Sequence, residues 1–495
     1  MNRTIRTGLT FEDVLLVPKR FSGSSRSNIS TRTQYSKNFD LNIPIISSNM
    51  DTVTESTMAI AIAREGGLGV IHRFMPIDDQ VYEVIRVKRS ESIIIDNPYT
   101  LKPDALLSDA KELMLDKGVS GILITTKNGT LEGILTNRDM KFEINNETTV
   151  SALMTQKKDL ITANPKVSLD DAKAIFKKNK VEKLPLINED GILSGLITAS
   201  DLEKRELSPR STKDNKGRLR VGAAIGVKND ILERAKSLLE VKVDSLVVDI
   251  AHGHSDLAIN TVKLLRKEFG DDIDICAGNV ATKEGTEDLI SAGVDSIKAG
   301  VGPGSICITR IVAGSGVPQI TCIMDCAEVA EGSGVPIISD GGIRNSGDIA
   351  KAIVAGASSV MIGNLLAGTT ESPGSPIIRN GRRYKIIRGM ASLGASLGRH
   401  SREKNGNGKG VQKKGSFDEK DIDDFASEVV AEGVEAMVAF KGPVKEIIHQ
   451  LVGGLKSGIS YCGSNSLPEM RKKGEFMQIT AAGIKESQSH DVDKV

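Results

Sequence analysis

Cys307 stands at the end of a bend that reads Ala299-Gly-Val-Gly-Pro-Gly-Ser-Ile-Cys307, with Thr309 and Arg310 just beyond it. A thiol on such a loop, close to a cation, has the makings of an ionised nucleophile. Gly300, Gly302 and Gly304 let the chain turn tightly and let a ligand or ion approach the peptide groups. A small buried apolar residue, the commonest use of a free cysteine, is the other reading of the same position. A dinucleotide fingerprint is not: the glycine spacing differs, and Pro303 and the polar residues after it do not open a helix. Two more glycine loops follow, Ser339-Asp-Gly-Gly-Ile-Arg344 and Gly363-Asn364. Gly341, Gly342 and Gly363 suit phosphate, whereas Asp340 repels phosphate and suits ribose hydroxyls, so the loops together predict a nucleotide; a tight βα turn is the other reading of Gly341-Gly342. Asp249 is a second candidate ribose acceptor, and Asn279 a candidate donor to a ring or hydroxyl. His252 and His254 have a zinc-like spacing, but no thiol or third histidine lies near them.

Something must bring these scattered residues together. Eight short apolar runs do so: Pro44–Ser47, Leu68–Ile71, Leu219–Ile225, Ser245–Val248, Ile273–Ala277, Ser296–Ala299, Pro336–Ser339 and Ser359–Ile362. Their Ile, Val, Ala and Gly content is that of strands buried on both faces, and each ends at a polar residue or glycine. Amphipathic stretches such as Asn229–Leu239, Leu257–Phe269 and Ser346–Ala355 lie between them. Eight β-then-α units predict a closed (β/α)8 TIM barrel, in which the chemistry sits at the C-terminal ends of the strands. An open doubly wound sheet is the alternative architecture.

The rhythm breaks between the second and third runs, where an insertion covers about 95–205 and divides the barrel into 1–94 and 206–495. It contains an internal repeat, about 95–150 and 151–205. Ala105-Leu-Leu-Ser-Asp-Ala-Lys matches Val167-Ser-Leu-Asp-Asp-Ala-Lys, and Gly133-Ile-Leu-Thr-Asn-Arg-Asp matches Gly195-Leu-Ile-Thr-Ala-Ser-Asp, both at an offset of 62 (172 − 110). Two copies make a pseudo-twofold module, not a solenoid. This pattern resembles a tandem CBS (Bateman) pair. By that resemblance Thr136, Asp139, Thr198 and Asp201 contact the ribose of an adenine or guanine nucleotide; a purely structural insertion is the other reading. A basic, glycine-rich run within 395–425 has no apolar period, as expected of a mobile lid or of a disordered stretch.

Composition narrows the class. With 65 basic and 64 acidic residues the net charge is +1, which argues against a nucleic-acid or anionic-membrane binder. No apolar run reaches the roughly 20 residues that span a bilayer, and the first residues lack a signal-peptide core. Five cysteines in 495 residues make no disulfide framework, and Cys322 and Cys326, one helical turn apart, suit packing. A cytoplasmic enzyme is expected.

Several long segments carry a more specific likeness: Leu9–Pro18, Ser47-Ser-Asn-Met-Asp-Thr-Val-Thr54, Gly66-Gly-Leu-Gly-Val-Ile-His72, Val248-Asp-Ile-Ala-His-Gly-His254, the cysteine loop, Ser339-Asp-Gly-Gly-Ile343, Arg388-Gly-Met-Ala-Ser-Leu-Gly394 and Phe476–Ser487. Together they resemble the IMP dehydrogenase family over nearly the whole chain, insertion included. The resemblance implies that Cys307 attacks C2 of inosine 5′-monophosphate (IMP), that hydride passes to NAD, and that water releases xanthosine monophosphate. It implies IMP contacts at Ser48, Met50, Ser305, Asp340, Gly341, Gly342, Gly363, Asn364, Ile387, Arg388, Gly389, Met390, Ala391 and Glu432. NAD would meet Asp249, Gly300, Val301 and Gly302. A potassium ion (K+) would be held by carbonyls of Gly302, Gly304 and Cys307, with Glu486, Ser487 and Gln488 supplied by a neighbouring subunit of a homotetramer. Gln488 stands where histidine is usual, a swap of little weight when carbonyl oxygens are the ligands.

Cys307, Thr309 and, on the flap, Arg402 are the catalytic candidates. The family's flap carries an Arg-Tyr pair whose arginine activates water. None lies in 390–424, and Arg383-Tyr384 is upstream. That gap leaves two alternatives: GMP reductase, which needs no water-activating flap, and a nucleotide-binding regulator with poor turnover. The flap-sized run and the Glu486-Ser487 segment are expected to disfavour the reductase, as is Leu393-Gly394, where a glutamate is typical.

Overall fold

The computed structural model describes residues 5–488 apart from 92, 93, 96, 201, 203–207, 393 and 396–429. It divides into two units: Met1–Lys88 with Arg210–Asp214 and Leu219–Val495, and Arg89–Pro209 with Asn215–Arg218.

The first unit is a closed barrel of eight strands, all parallel: β1 (Ile45–Ser47), β2 (Leu68–Ile71), β3 (Val221–Ile225), β4 (Ser245–Asp249), β5 (Ile275–Val280), β6 (Ser296–Ala299), β7 (Ile337–Asp340) and β8 (Ser359–Ile362). The eight apolar runs are these strands. Burial on both faces explains why alternation is missing and why the runs stand out. Each strand leads to a helix: α1 (Ser56–Glu65), α2 (Ile77–Arg89), α3 (Ile231–Glu240), α4 (Asp256–Phe269), α5 (Lys283–Ala292), α6 (Gln319–Ala330), α7 (Ser346–Val354) and α8 (Val444–Tyr461). Ser255, Thr282 and Asn345 start α4, α5 and α7 by accepting a backbone N–H, which satisfies a donor the helix leaves open.

Ile46, Leu68, Val70, Ala224, Val247, Cys276, Ile338 and Met361 pack inside the barrel. A hairpin of Thr33–Gln34 and Asp40–Leu41 plugs its N-terminal end, with Tyr35 stacked on Phe39 at 4.8 Å and bonded to Ser245 Oγ at 3.0 Å. Asp274 is buried beside this plug, and burial, its largest influence, pushes its carboxyl up to about 6. A raised folded-state value means that the stabilisation belongs to the protonated form and fades as pH climbs from about 4 to about 6. Asp274→Asn, neutral throughout, is therefore expected to stabilise the fold by about 1–3 kcal/mol at pH 8 and by nothing at pH 4. Thermal unfolding at both pH values checks this; equal gains would sink it.

Between β8 and α8 the chain forms an antiparallel sheet of β9 (Ile377–Arg379), β10 (Arg382–Arg388) and β11 (Glu435–Ala439). The N-terminal segment contributes Val14–Leu16, which pairs antiparallel with Phe476–Gln478.

The second unit repeats itself. Helix Leu107–Lys117 and strands Gly121–Thr125 and Leu131–Thr136 recur as Leu169–Asn179, Lys183–Ile187 and Leu193–Thr198, each 62 residues on (169 − 107). The copies join reciprocally: Leu131 N donates to Gly191 O at 3.1 Å and Leu193 N to Gly129 O at 2.9 Å, as a pseudo-twofold axis requires.

Candidate active site

The loop after β6 turns because Gly300 and Gly302 have φ of 148° and 82°. At Gly300 a Cβ would lie 2.2 Å from the carbonyl oxygen of Asp340, so only glycine lets the ends of β6 and β7 come together. Gly341, at φ 93°, brings the β7 loop against Pro303, whose Cγ would be 2.9 Å from an added Cβ. Two of the three glycine loops expected to bind a nucleotide thus touch.

Cys307 is half-buried at the end of the first loop. Its amide donates to Gly304 O at 3.1 Å, and the residue bridges antiparallel to Gly433. Hydrogen bonds on either side, from Ile308 N to Glu432 O at 2.8 Å and from Val434 N to Ile306 O at 3.0 Å, fix the register. The thiol lies 3.2 Å from Thr309 Oγ1, which donates to Glu432 Oε2 at 2.8 Å. Because the threonine proton is committed to the carboxylate, its oxygen presents lone pairs towards sulfur. This thiol–hydroxyl–carboxylate line can pass a proton. Arg310, read as the cation beside the thiol, instead donates to the carbonyls of Val301 (3.2 Å) and Val317 (2.6 Å) and serves to hold the loop.

A second group lies on β4 to β7. Asn279 Nδ2 donates to Gly300 O at 2.8 Å and Asp340 Oδ2 at 2.9 Å. Lys298, in the middle of β6, donates to Asp249 Oδ1 and, at 3.3 Å, to Asp340 Oδ2. Burial alone would raise the Asp249 carboxyl; the Lys298 ammonium overrides it and holds the group below the usual range.

On the β1 side, Arg388 at the end of β10 pairs with Asp51 through Nε at 2.8 Å and through Nη2. Ser48 is buried and Met50 half-buried, with Met50 Sδ 3.0 Å from where a Cβ on Gly363 would lie. Gly389 N donates to Val434 O at 3.0 Å, and Ala391 O accepts from Glu432 N at 3.0 Å, so 389–391 and 432–434 run side by side. Met390 is half-buried there. Ile387 is 1% exposed and belongs to the core, so only its backbone borders the site. Ser305 and Asn364 are exposed.

Other expectations fall elsewhere. His254 Nε2 lies 2.9 Å from Asp288 Oδ2, with the His252 ring 6.3 Å away, and no group of three or more His, Cys, Asp or Glu among the described residues is placed to hold a metal. Glu486 ends a short helix, Ala481–Glu486, and it, Ser487 and Gln488 are exposed. Arg383 lies over the Phe440 ring at 4.5 Å on β10. Arg402 and most of the 395–425 flap lie outside the described residues. Lys298 and Asp51 escaped the sequence reading. A lysine inside an otherwise apolar strand was the available signal for the first; none existed for the second, 337 positions from Arg388.

Fold and site together define a (β/α)8 barrel whose mouth gathers a loop thiol, a proton line and a pair of carboxylates bridged by a lysine. Residues 8–490 match the IMP dehydrogenase / GMP reductase domain, and the chain belongs to that family. An inosine-5′-monophosphate dehydrogenase of Nitrosopumilus maritimus is 53% identical over 98% of this chain and 99% of its own. A GMP reductase of Leishmania major is 45% identical over 99% and 98% respectively. Among solved structures, a GMP reductase variant of Trypanosoma brucei in complex with guanosine 5′-monophosphate superposes with a TM-score of 0.90 at 45% identity, covering 99% of both chains. The flap-sized run and C-terminal segment were expected to disfavour a reductase, but reductases of matching length remove chain length as an argument.

Proposed function

We propose that this protein oxidises IMP to xanthosine monophosphate with NAD, in guanine nucleotide formation, through a covalent adduct on Cys307. The observation that carries the reading is the line from Cys307 through Thr309 to Glu432, set beside the Asp340 loop; the 53% identity to a dehydrogenase supports it.

In this reading the Cys307 thiolate adds to C2 of the purine and makes it tetrahedral. C2 then loses hydride, leaving a thioimidate, and water adds to C2 as the sulfur departs. The thiol's proton moves by way of Thr309 to Glu432. Asp340 accepts the IMP ribose hydroxyls, the Gly341, Gly342 and Gly363 amides face the phosphate, and Gly389 to Ala391 border the base. Asp249, ionised under the pull of Lys298, suits a ribose hydroxyl of NAD, with Gly300 to Gly302 leaving room for its close approach. NAD, when bound, supplies the hydride acceptor. Carbonyls of Gly302, Gly304 and Cys307 would hold K+, for which oxygen ligands are suited. Glu486, Ser487 and Gln488 of a neighbouring subunit would complete its ligands, which requires an oligomer, read as a homotetramer in the cytoplasm. Arg402 is the candidate to activate water.

The insertion is read as a CBS pair that takes an adenine or guanine nucleotide. Thr136 Oγ1 donates to Asp139 Oδ2 there at 2.6 Å, and the same carboxylate oxygen accepts the Thr136 amide at 2.7 Å at the start of the following helix.

GMP reductase is the second reading, favoured by the Trypanosoma brucei likeness and the missing Arg-Tyr pair. Purified protein given IMP, NAD and K+, and separately GMP and NADPH, discriminates by nicotinamide absorbance. NADH formed with IMP alone supports the dehydrogenase; NADPH consumed with GMP alone overturns it. A single stoichiometric burst of NADH places the defect in hydrolysis, and binding without turnover supports a regulator.

A further inference from the structure

We propose that Lys298 is a positioning residue that serves both nucleotide halves of the site at once, by bridging Asp249 and Asp340 from beneath. The inference deepens the nucleotide reading above and rests on it. The Lys298 side chain is 1% exposed, whereas those of Asp249 and Asp340 are 19% and 18% exposed. The ammonium is thus out of reach of a ligand while each carboxylate keeps a face open at the barrel mouth. Two of its N–H groups go to the two carboxylates. Asn279 braces Asp340 from β5, and Asn49 bonds Asp249 from the loop after β1. The other groups facing this cluster are Arg73, which acts on Asp249, and Cys276, a buried thiol pushed up to about 12.

Two carboxylates sharing a partly enclosed site cannot both stay ionised without a cation between them; one takes up a proton. A protonated carboxyl has lost part of its acceptor capacity and binds a ribose diol less well. Lys298 is the cation that Asp249 and Asp340 share. Its loss therefore weakens the binding of two different ligands, neither of which it touches, and makes that binding depend on pH.

The test compares Lys298→Met, Lys298→Arg and the double variant Lys298→Met/Asp249→Asn, with KM for IMP and for NAD measured from pH 6.5 to 9. Lys298→Met is expected to raise both KM values at pH 7 by roughly 10–100-fold, with the loss shrinking several-fold by pH 9 as the trapped proton leaves. Lys298→Arg keeps the charge and should recover most of the loss. In the double variant Asp340 has no carboxylate to repel, so KM for IMP should return to within a few-fold of that of Asp249→Asn alone. A loss that is the same at pH 6.5 and 9, or one confined to a single nucleotide, overturns the proposal. Failure of the underlying reading shows in the wild type: if it turns over GMP with NADPH and not IMP with NAD, the same variants and the same expectations are applied to that pair.

Discussion

A Cys307→Ala variant is expected to bind IMP about as well as the wild type and to make no detectable NADH, a loss of roughly 10⁴–10⁶-fold in turnover. Without sulfur, C2 stays trigonal and has no route to a hydride-releasing tetrahedral carbon. The variant should leave the loop intact, because its shape is held by backbone: the Cys307 amide on Gly304, the bridge to Gly433, and the hydrogen bonds of Ile308 and Val434 on either side. Calorimetric titration with IMP, run beside the nicotinamide assay, separates binding from chemistry. Turnover within tenfold of wild type would falsify the covalent mechanism.

Thr309→Val should follow with a loss of about 10²–10³-fold, the usual range for removing a positioned proton carrier. Valine keeps the shape of threonine but breaks both the 3.2 Å contact to the thiol and the 2.8 Å bond to Glu432. Thr309→Ser restores the hydroxyl and should recover most of the rate. In Glu432→Gln the amide can donate to the threonine oxygen, turning its proton towards sulfur and removing the final acceptor, so a comparable loss is expected. Rapid-mixing kinetics show which step the line serves. A slowed burst of NADH assigns it to the thiol proton, and a normal burst with slow steady turnover assigns it to water. Rates within threefold of wild type in both Thr309→Val and Glu432→Gln would leave the line without a role.

The barrel was legible because strands buried on both faces leave short apolar runs whose ends fall at polar residues. The runs for β4 and β7 stopped one residue early, before Asp249 and Asp340, and that for β5 three residues early, at Ala277, where Asn279 read as a loop residue. It is a strand residue because its side chain finds Gly300 O and Asp340 instead of water. The sheet of β9 to β11 left no such trace, since Ile377, Ile378, Ile386 and Met437 are 40%, 77%, 50% and 39% exposed and no alternation survives. The glycine loops marked where backbones approach closely, as at Gly300 against Asp340 O and Gly341 against Pro303, because such approach admits few other residues. Side-chain partnerships were another matter. Lys298 with its two aspartates, Asp51 with Arg388 and Thr309 with Glu432 join distant parts of the chain, and nothing local encodes them.

Residues 432–434 lie between the cysteine loop on one side and 389–391 on the other, and β10 and β11 continue the pairing outward. A protease cut anywhere within 396–429 therefore severs the polypeptide without dividing the particle. The two fragments should co-purify and part only in denaturant, with sulfur still seated against Thr309. If the proposed mechanism holds, such a nicked protein should still form the purine adduct on Cys307 although the 396–429 run is no longer continuous.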